Sequence, residues 1–230
     1  MIKSQIFIKL TNKKMEKAKR KNKEIIQALN WRYATKVFDP SKKVSDEDMH
    51  TILESARLSP SSSGVEAWKF FVIHDKEVRE KIFQVSNQLK VLDASHLIVI
   101  TYRMDVAENI TRERLERTAK IQGQKIEELG SLKAMLEGGI AKKTKDGTLE
   151  AWTRAQAYIP LGIMIETASL LGIDNGPMEG FIPEKVDEIL NLKEKNLKSV
   201  TMLALGYRGS DSAALRPKVR REFEEVIEFI

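Results

Sequence analysis

The stretch from Thr148 to Leu171 constrains the fold most, because its apolar residues recur at helical spacing and cover nearly every side. A helix that is apolar all round either lies in a protein core or spans a membrane, and Arg154, Gln156 and Glu166 argue against a span. We expect one long buried helix, central in the domain or shared with a partner subunit, in which Pro160 causes a kink or removes one hydrogen bond. The apolar positions are Trp152, Ala155, Ile159, Ile163, Ile165, Ala168 and Leu171.

Shorter periodic runs predict the remaining elements of one domain. Residues 105–147 are dense in charge and poor in apolar side chains, and we expect mostly exposed helix and loop there. Ser45 is a predicted N-cap, with acidic residues in the turn that follows. The predicted helices are Glu24–Trp31, the run after Ser45 that Pro60 closes, Lys76–Gln88 and Ile182–Leu190. The predicted strands, of which the first should be buried, are Trp68–His74, His96–Tyr102 and Ser199–Tyr207.

The positive charge of the chain is concentrated near its N-terminus. Residues 1–30 carry nine lysines and arginines against two glutamates, a net charge of +7 in a chain whose total is +6. We interpret residues 1–23 as a basic leader, disordered or locally helical, and it lacks the pattern of a secretory signal. An alternative is a nucleic-acid or anionic-lipid contact driven by counterion release, which heparin binding that depends on this segment would support.

The chemistry available to the chain is limited by what the sequence lacks. It has no cysteine, so it offers no disulfide, no thiolate nucleophile and no cysteine zinc site, and a cytoplasmic location is expected. The three histidines are too scattered for a metal pair, and we expect no metal; His74 and His96 fit strand edges. No Ser-His-Asp set, phosphate-binding P-loop or Gly-x-Gly-x-x-Gly fingerprint stands out.

Four segments carry a more specific signal. They are Asn30–Phe38, with two cations four residues apart, Pro60–Trp68, Pro177–Phe181, and Arg216–Arg220. In this order and at these separations they resemble the nitroreductase family of FMN-dependent NAD(P)H oxidoreductases, over about residues 24 to 222.

The resemblance implies an α+β fold with a central, mostly antiparallel sheet of four to five strands flanked by helices, in an intertwined homodimer. Residues 24–230 would form the single domain, with a substrate lid at about 105–147 and a tail at about 208–230 that wraps the partner. FMN would be the cofactor and NADPH or NADH the donor of a hydride to flavin N5. A nitroaromatic, quinone or related small oxidant would then be reduced by two electrons in a ping-pong cycle.

The resemblance also assigns the phosphate and ring-edge ligands of FMN. Helical spacing would place the first two cations, Arg32 and Lys36, on one face if the helix continued. By resemblance the phosphate ligands are Arg32, Lys218 and Arg220, joined by Tyr33 and Ala34. Lys36 and Lys90 match positions at the pyrimidine edge of the flavin, where a cation favours the reduced anion. Asn87, expected on the same helix face as Lys90, matches an amide that binds the polar edge of the ring.

Two loops complete the implied site. Ser61, Ser62, Ser63 and Gly64 match a loop that contacts the flavin of the other subunit, and small residues permit a close approach. Many relatives carry asparagine in place of Gly64 and Gln-Pro in place of Glu66-Ala67. Met178, Glu179 and Gly180 match a turn whose backbone N–H groups face flavin O4 and N5, so the amides of Glu179 and Gly180 would act in hydride transfer, together with Lys36 and Lys90.

Other functions on the same scaffold stay open at this point. One is a dihydropteridine or free-flavin reductase, which comparison of acceptors would separate from a nitroreductase. Another is a non-enzymatic flavin-binding protein, expected to hold FMN with negligible turnover of NAD(P)H.

Overall fold

The structure, a computed structural model, describes residues 19–230. Leader residues 1–18 lie outside the described residues. Residues 19–31 form helix α1, and the ion pair from Arg20 to Glu24 (2.8 Å) lies at the i, i+4 spacing that supports a helix. The helix expected from Glu24 onward therefore begins earlier, at residue 19, within the part of the leader that was expected to be disordered or locally helical.

Most of the predicted helices are confirmed, with small changes at their ends. The side chain of Ser45 accepts the Asp48 backbone N–H, which is the N-cap expected at the start of α2. Pro183 occupies the first turn of α9, where its missing N–H costs no helical hydrogen bond. The helices after α1 are α2 Asp46–Arg57, α3 Lys76–Ser86, α4 Lys90–Asp93, α5 Val106–Gln122, α6 Gly130–Lys145, α7 Leu149–Gln156, α8 Tyr158–Leu170, α9 Pro183–Ile189 and α10 Phe223–Val226.

Four antiparallel strands form one sheet in the order β1-β2-β4-β3. The strands are β1 Trp68–Ile73, β2 His96–Arg103, β3 Asp174–Met178 and β4 Leu197–Gly206. Strand β1 lies at an edge and is mostly half-buried, so the prediction of a buried strand there is wrong. The sequence analysis does not predict β3, whose Asp-Asn-Gly-Pro-Met composition is typical of a turn. Pro177 is tolerated because β3 is the other edge strand.

The central strands are covered on both faces. Alternate residues of β2 point to opposite sides, so Ile98 and Ile100 pack with α2 and α8, whereas Leu97 and Val99 pack with α3, α4, α9 and Phe38. The result is a sheet between two helical layers. This architecture confirms the α+β fold and the mostly antiparallel sheet.

The long apolar stretch is two helices rather than one. The chain breaks at Ala157, between α7 and α8, and the kink predicted at Pro160 is not formed. Pro160 is the third residue of α8, where a backbone N–H has no partner within the helix, so proline is tolerated. The prediction of burial is confirmed for the core of α8, where Leu161, Met164 and Ala168 lie against α2 and the sheet. None of the helices in residues 19–230 is long and apolar enough to cross a bilayer.

Residues 105–147, expected to be helix and loop, form the helical pair α5 and α6 with a short connection between them. The pair has a small core of its own, in which Val106, Ile110, Leu136 and Ile140 surround Val65 and Ala67 from the segment before β1. Most other side chains of these helices are at least partly exposed, as expected.

We expect Gly176→Ala to destabilise the fold, because a Cβ at this position in β3 would lie 2.8 Å from the Thr35 carbonyl oxygen. That oxygen belongs to the backbone and cannot rotate away, and overpacking of this kind costs about 1–3 kcal/mol. Thermal and urea unfolding would measure the loss. Gly162→Ala is the matched control, since Gly162 is exposed in α8 with nothing near its Cβ, and it should be neutral or slightly stabilising. Equal stability of the two variants would contradict the prediction.

Candidate functional site

The segment that follows α1 runs along the outer side of β3. Helix α1 ends at residue 31 and Lys36 lies at a bend, so the helix does not continue and Arg32 and Lys36 do not share a helical face. Backbone contacts hold the segment: Ala34 pairs with Asn175 in a parallel bridge, and the Thr35 N–H donates to the Asn175 carbonyl at 3.0 Å. The segment instead carries the two cations along the β3 edge of the sheet.

Arg208, which the sequence analysis missed, connects this segment to the sheet. It lies two residues after the end of β4, and its backbone N–H and guanidinium Nε donate to the buried Asp174 carboxylate at 2.8 and 2.7 Å. The guanidinium also lies over the rings of Trp31 and Tyr33, 4.4 and 4.8 Å from their centroids. A cation two residues after a long buried strand is the signal in the sequence that could have drawn attention to it.

Three predicted phosphate ligands gather beside Arg208. Burial and the nearby Arg220 lower the pKa of Arg32, whose Nε is buried without a hydrogen-bond partner. Burial, followed by the charges of Arg32, Arg220 and Arg208, lowers the pKa of Lys218. We call Arg32, Arg208, Lys218 and Arg220 the cation cluster. Within residues 19–230, only its Arg208 lies within ion-pair distance of a carboxylate, so the cluster repels itself and favours an anion in its midst.

Tyr33 and Asp211 fix the tail against the same segment. The Tyr33 hydroxyl donates to the Asp211 carboxylate at 2.8 Å, and the Lys36 backbone N–H donates to it at 3.3 Å. Burial and this hydrogen bond raise the pKa of Tyr33 to about 12, so the hydroxyl remains a donor at neutral pH. Residues that lie far apart in the sequence are thereby held together at one end of the sheet.

Lys90 is buried next to these residues without a carboxylate partner in the described chain. It is 4% exposed, and its Nζ lies 3.4 Å from the Pro177 carbonyl oxygen. Burial lowers its pKa to about 8, and the nearby charge of Lys36 adds to the effect. Asn87 is not on the same helix face, because α3 ends there: Asn87 is a left-handed C-cap, φ 50°, and Lys90 begins α4.

The predicted turn at Met178, Glu179 and Gly180 lies at the end of β3. Met178 is the last residue of the strand, and its carbonyl accepts the Thr201 hydroxyl at 3.0 Å. Gln88, another residue that the sequence analysis missed, donates to the Gly180 carbonyl at 2.7 Å. The Glu179 carboxylate accepts the Tyr158 hydroxyl at 2.6 Å. The turn is thus tied to the α3–α4 connection and to the start of α8, near Lys90.

The Ser61–Gly64 loop lies elsewhere in the same chain. Ser62 begins a short 3₁₀ turn, and its N–H donates to the Gln156 side chain at 2.8 Å, at the end of α7. Ser63 and Gly64 have φ angles of 56° and 63°, and the Ser61 hydroxyl accepts the Glu66 N–H at 2.9 Å. None of the hydrogen bonds of the described chain joins this loop to the cation cluster. Its predicted contact with the flavin of a second subunit stays a prediction.

Other places offer less chemistry. A cavity of about 530 Å³ lies at the opposite end of β4, between α9 and Lys198, and holds none of the predicted site residues. Among residues 19–230, no group of three or more His, Asp and Glu side chains could hold a metal ion. His74 and His96 lie at strand ends as predicted, with ring centroids 5.6 Å apart.

We expect Lys90→Met to stabilise the protein at neutral pH once bound anions are removed. Folding buries the charge, and a shift from 10.5 to about 8 corresponds to a penalty of about 3 kcal/mol. Since folded Lys90 loses its proton near pH 8 and the unfolded chain keeps it to about pH 10.4, wild-type stability should rise relative to the variant across that interval. Urea unfolding from pH 7 to 10 would measure this difference.

The exposed Lys81 on α3 provides the matched control. Lys81→Met should leave the free energy of unfolding within about 0.5 kcal/mol at every pH. A Lys90→Met variant that is less stable than wild type at pH 7, or whose difference from wild type does not change with pH, would contradict the prediction.

Sequence comparison places these features in a known group of proteins. Residues 29–207 match the model of the nitroreductase family. The chain is 40% identical over 217 residues to a Staphylococcus aureus protein named "Putative NAD(P)H nitroreductase", a match that covers 91% of this chain and 96% of that protein. A protein of the same name from Staphylococcus haemolyticus is 39% identical over 220 residues, covering 90% and 97%.

Solved structures agree on the fold. The "putative nitroreductase ydfN" of Bacillus subtilis has a TM-score of 0.78 at 21% identity, covering 90% of this chain and 99% of that one. A "putative nitroreductase in complex with FMN" from Exiguobacterium sibiricum has a TM-score of 0.74 at 22% identity, covering 90% and 97%. From the family match and the identity to these relatives, the chain belongs to the nitroreductase family.

Proposed function

We propose that this protein is an FMN-dependent oxidoreductase. It takes a hydride from NADPH or NADH and reduces a small oxidant, such as a nitroaromatic or a quinone, by two electrons in a ping-pong cycle. The names of the Staphylococcus relatives, which specify NAD(P)H, and the FMN in the Exiguobacterium structure support the proposal.

The observation that carries the proposal is the excess of positive charge at one end of the sheet. The cation cluster has one carboxylate within ion-pair distance in the described chain, and Lys90 is buried nearby with none. Burying unpaired charge is costly unless an anion joins it. A ligand with a phosphate at one end and a ring that gains negative charge at the other would satisfy both groups.

The residues present fit FMN. The unsatisfied Nε of Arg32, with Lys218, Arg220 and Arg208, would hold the phosphate, and Tyr33 and Ala34 would present the backbone beside it. Gly176 admits close packing, because a Cβ there would contact Thr35 and Lys90. Bound FMN would supply the two-electron chemistry that no side chain of this protein offers.

The residues near Lys90 would favour reduction of the flavin and orient its reacting edge. Lys36 and Lys90 are near enough to affect each other electrostatically, and a cation pair beside the ring would favour its reduced, anionic form. The backbone at Glu179 and Gly180, held by Tyr158 and Gln88, would present amide donors to the reacting edge. We assign Asn87 to the polar edge of the ring, where its left-handed backbone exposes the side chain.

The protein would act as a homodimer. Helix α1 exposes Ile25, Ile26 and Leu29, and the tail after β4 exposes apolar side chains up to the last residue. The exposed apolar surfaces of α1 and of the tail, on either side of the site, would be buried if two copies exchanged chain segments. In such a dimer the Ser61, Ser62, Ser63 and Gly64 loop would contact the partner's flavin, and residues 105–147 would form the lid. The exposed tail positions are Leu215, Val219, Phe223, Val226, Ile227, Phe229 and Ile230.

The absorption spectrum of the purified protein tests the function. We expect the visible bands of an oxidised flavin, bleached by anaerobic NADPH or NADH and restored by a nitroaromatic or a quinone. Sedimentation of the same sample should give a dimer. No flavin after incubation with FMN would reject the proposal, whereas a monomer that retains flavin would reject the dimer alone. Flavin that no donor reduces would favour a flavin-binding protein without this activity.

We expect Arg220→Gln to weaken FMN retention while the fold is preserved. A charge-assisted contact with phosphate contributes about 1.5–3 kcal/mol, which corresponds to roughly ten- to hundredfold in affinity. Fluorescence titration of the cofactor-free protein with FMN would measure this affinity. Arg221→Gln, the exposed neighbour, is the control, because Arg221 does not affect the pKa of Arg32 or Lys218. Equal FMN affinity of the two variants would show that Arg220 does not bind the phosphate.

A further inference from the structure

Two arginines of α5 contact the Ser61–Gly64 loop at the positions where the loop departs from the pattern of many relatives. Arg114 lies on Gly64: a Cβ at Gly64 would be 2.8 Å from its Nη2 and 3.1 Å from its Cζ. Arg117, three residues later on α5, lies 3.4 Å from the Glu66 carboxylate through its Nη2. The guanidinium of Arg114 therefore fills the space of a side chain at position 64.

The loop conformation brings these contacts about. Gly64 and Glu66 both have positive φ angles, 63° and 48°. Glycine adopts this conformation freely, but glutamate does so at a cost, here offset by its contact with Arg117 and the hydrogen bond to Ser61. The loop is thus held against α5 by its own backbone geometry.

Arg114 has no carboxylate within ion-pair distance in the described chain, unlike its neighbours. Arg112 contacts Glu116 at 3.5 Å, Arg103 pairs with Glu113, and Arg117 has Glu66. The Nε of Arg114, like the Nε and Nη2 of Arg117, is buried without a hydrogen-bond partner. Arg114 therefore carries a positive charge that no carboxylate of the described residues pairs with.

The flavin does not need this charge. Its phosphate would be neutralised by the cation cluster and the ring edge by Lys36 and Lys90, which lie at the end of β4 and β3 rather than at this loop. The remaining anion in the proposed reaction is one that the hydride donor or the acceptor carries.

We propose that Arg114, which lies on Gly64, binds an oxyanion on a substrate of the flavin that this loop would contact in the proposed dimer: the ribose phosphate of NADPH or a carboxylate of the acceptor. This inference rests on the proposed function and adds a substrate class to it. The guanidinium presents a planar pair of donors that matches either group. The extra ribose phosphate of NADPH, absent from NADH, is one source of such an oxyanion, and an acidic nitroaromatic is the other.

Rapid-mixing kinetics on the flavin-loaded protein separates the two sources. Reduction by NADPH is compared with reduction by NADH, and the reduced protein is then reoxidised by nitrobenzoate and, separately, by neutral nitrobenzene. In Arg114→Gln we expect the second-order rate constant for NADPH, for nitrobenzoate, or for both to fall about tenfold or more. The rate constant for the matched compound that lacks the extra oxyanion, NADH or nitrobenzene, should change less than about twofold, and Arg114→Lys should recover part of the loss.

Two further variants and a binding measurement sharpen the test. Gly64→Ala should lose the same selectivity as Arg114→Gln, because its Cβ displaces the guanidinium, whereas Arg112→Gln, on an exposed side chain, should not. Calorimetric binding of the adenosine bisphosphate half of NADPH, and of nitrobenzoate, to the flavin-loaded protein gives a readout independent of turnover. At least one of them should bind about tenfold more weakly to Arg114→Gln.

The outcomes distinguish this inference from the proposed function. Loss of flavin from Arg114→Gln, with wild type retaining it, would make Arg114 a flavin ligand and overturn the inference. Equal effects on both members of each pair, or an effect reproduced by Arg112→Gln, would also overturn it. A wild-type protein that holds no flavin would instead reject the proposed function, and unchanged binding of both anions to Arg114→Gln in that case would reject the inference separately.

Discussion

The contact between Arg208 and the buried Asp174 is the interaction on which the candidate site depends. Asp174 begins β3 and Arg208 follows β4, so the pair joins the ends of two neighbouring strands. Trp31 and Tyr33 stack on the outer side of the guanidinium, which brings the end of α1 to the same place. A buried ion pair adds little net stability, because desolvation offsets the attraction, but losing one partner is costly. Here the pair fixes the relative positions of the ends of β3, β4 and α1.

Around this pair the protein accumulates positive charge that it does not neutralise itself. Burial and mutual repulsion depress the pKa values of Arg32, Lys218 and Lys90, a direction that opposes folding of the ligand-free chain. Such an arrangement is maintained where an anion completes it. Shifted pKa values of this kind are concentrated at functional sites. They are consistent with membership of a family that includes an FMN complex.

The α5–α6 pair shows a different relation between scaffold and specificity. It has its own small core and is joined to the sheet through Val65 and Ala67, so it can vary without disturbing the cation cluster. The loop between those residues and Pro60 contacts Arg114 and Arg117. A reaction that is common to the family could in this way be combined with substrate recognition that belongs to this chain.

The sequence by itself predicted the elements in which apolar side chains repeat at a helical or strand period. For α2 a capping residue also marked the start. The sequence was sufficient for α2, α3, α9, β2 and β4, and the resemblance in four segments supplied the fold class and the family. It misplaced the break in the α7–α8 stretch, because helical periodicity continues through Ala157 and only packing sets the angle between two helices. It missed β3, because Asp174–Met178 has the composition of a turn and becomes a strand only by pairing with β4.

Tertiary structure alone revealed the partners of Arg208, Gln88 and Arg114, which the resemblance had not assigned. Nothing in the local sequence pairs Arg208 with Asp174, Gln88 with Gly180 or Arg114 with Gly64, since each pair is separated by more than thirty residues. Whether a lysine is solvated or buried likewise depends on its surroundings. From residue type alone Lys90 would be exposed and Leu89 buried, but Lys90 is 4% exposed and Leu89 is 61% exposed. Local patterns encode period and propensity, but charge coupling and desolvation depend on distances in space, which exist only once the chain has folded.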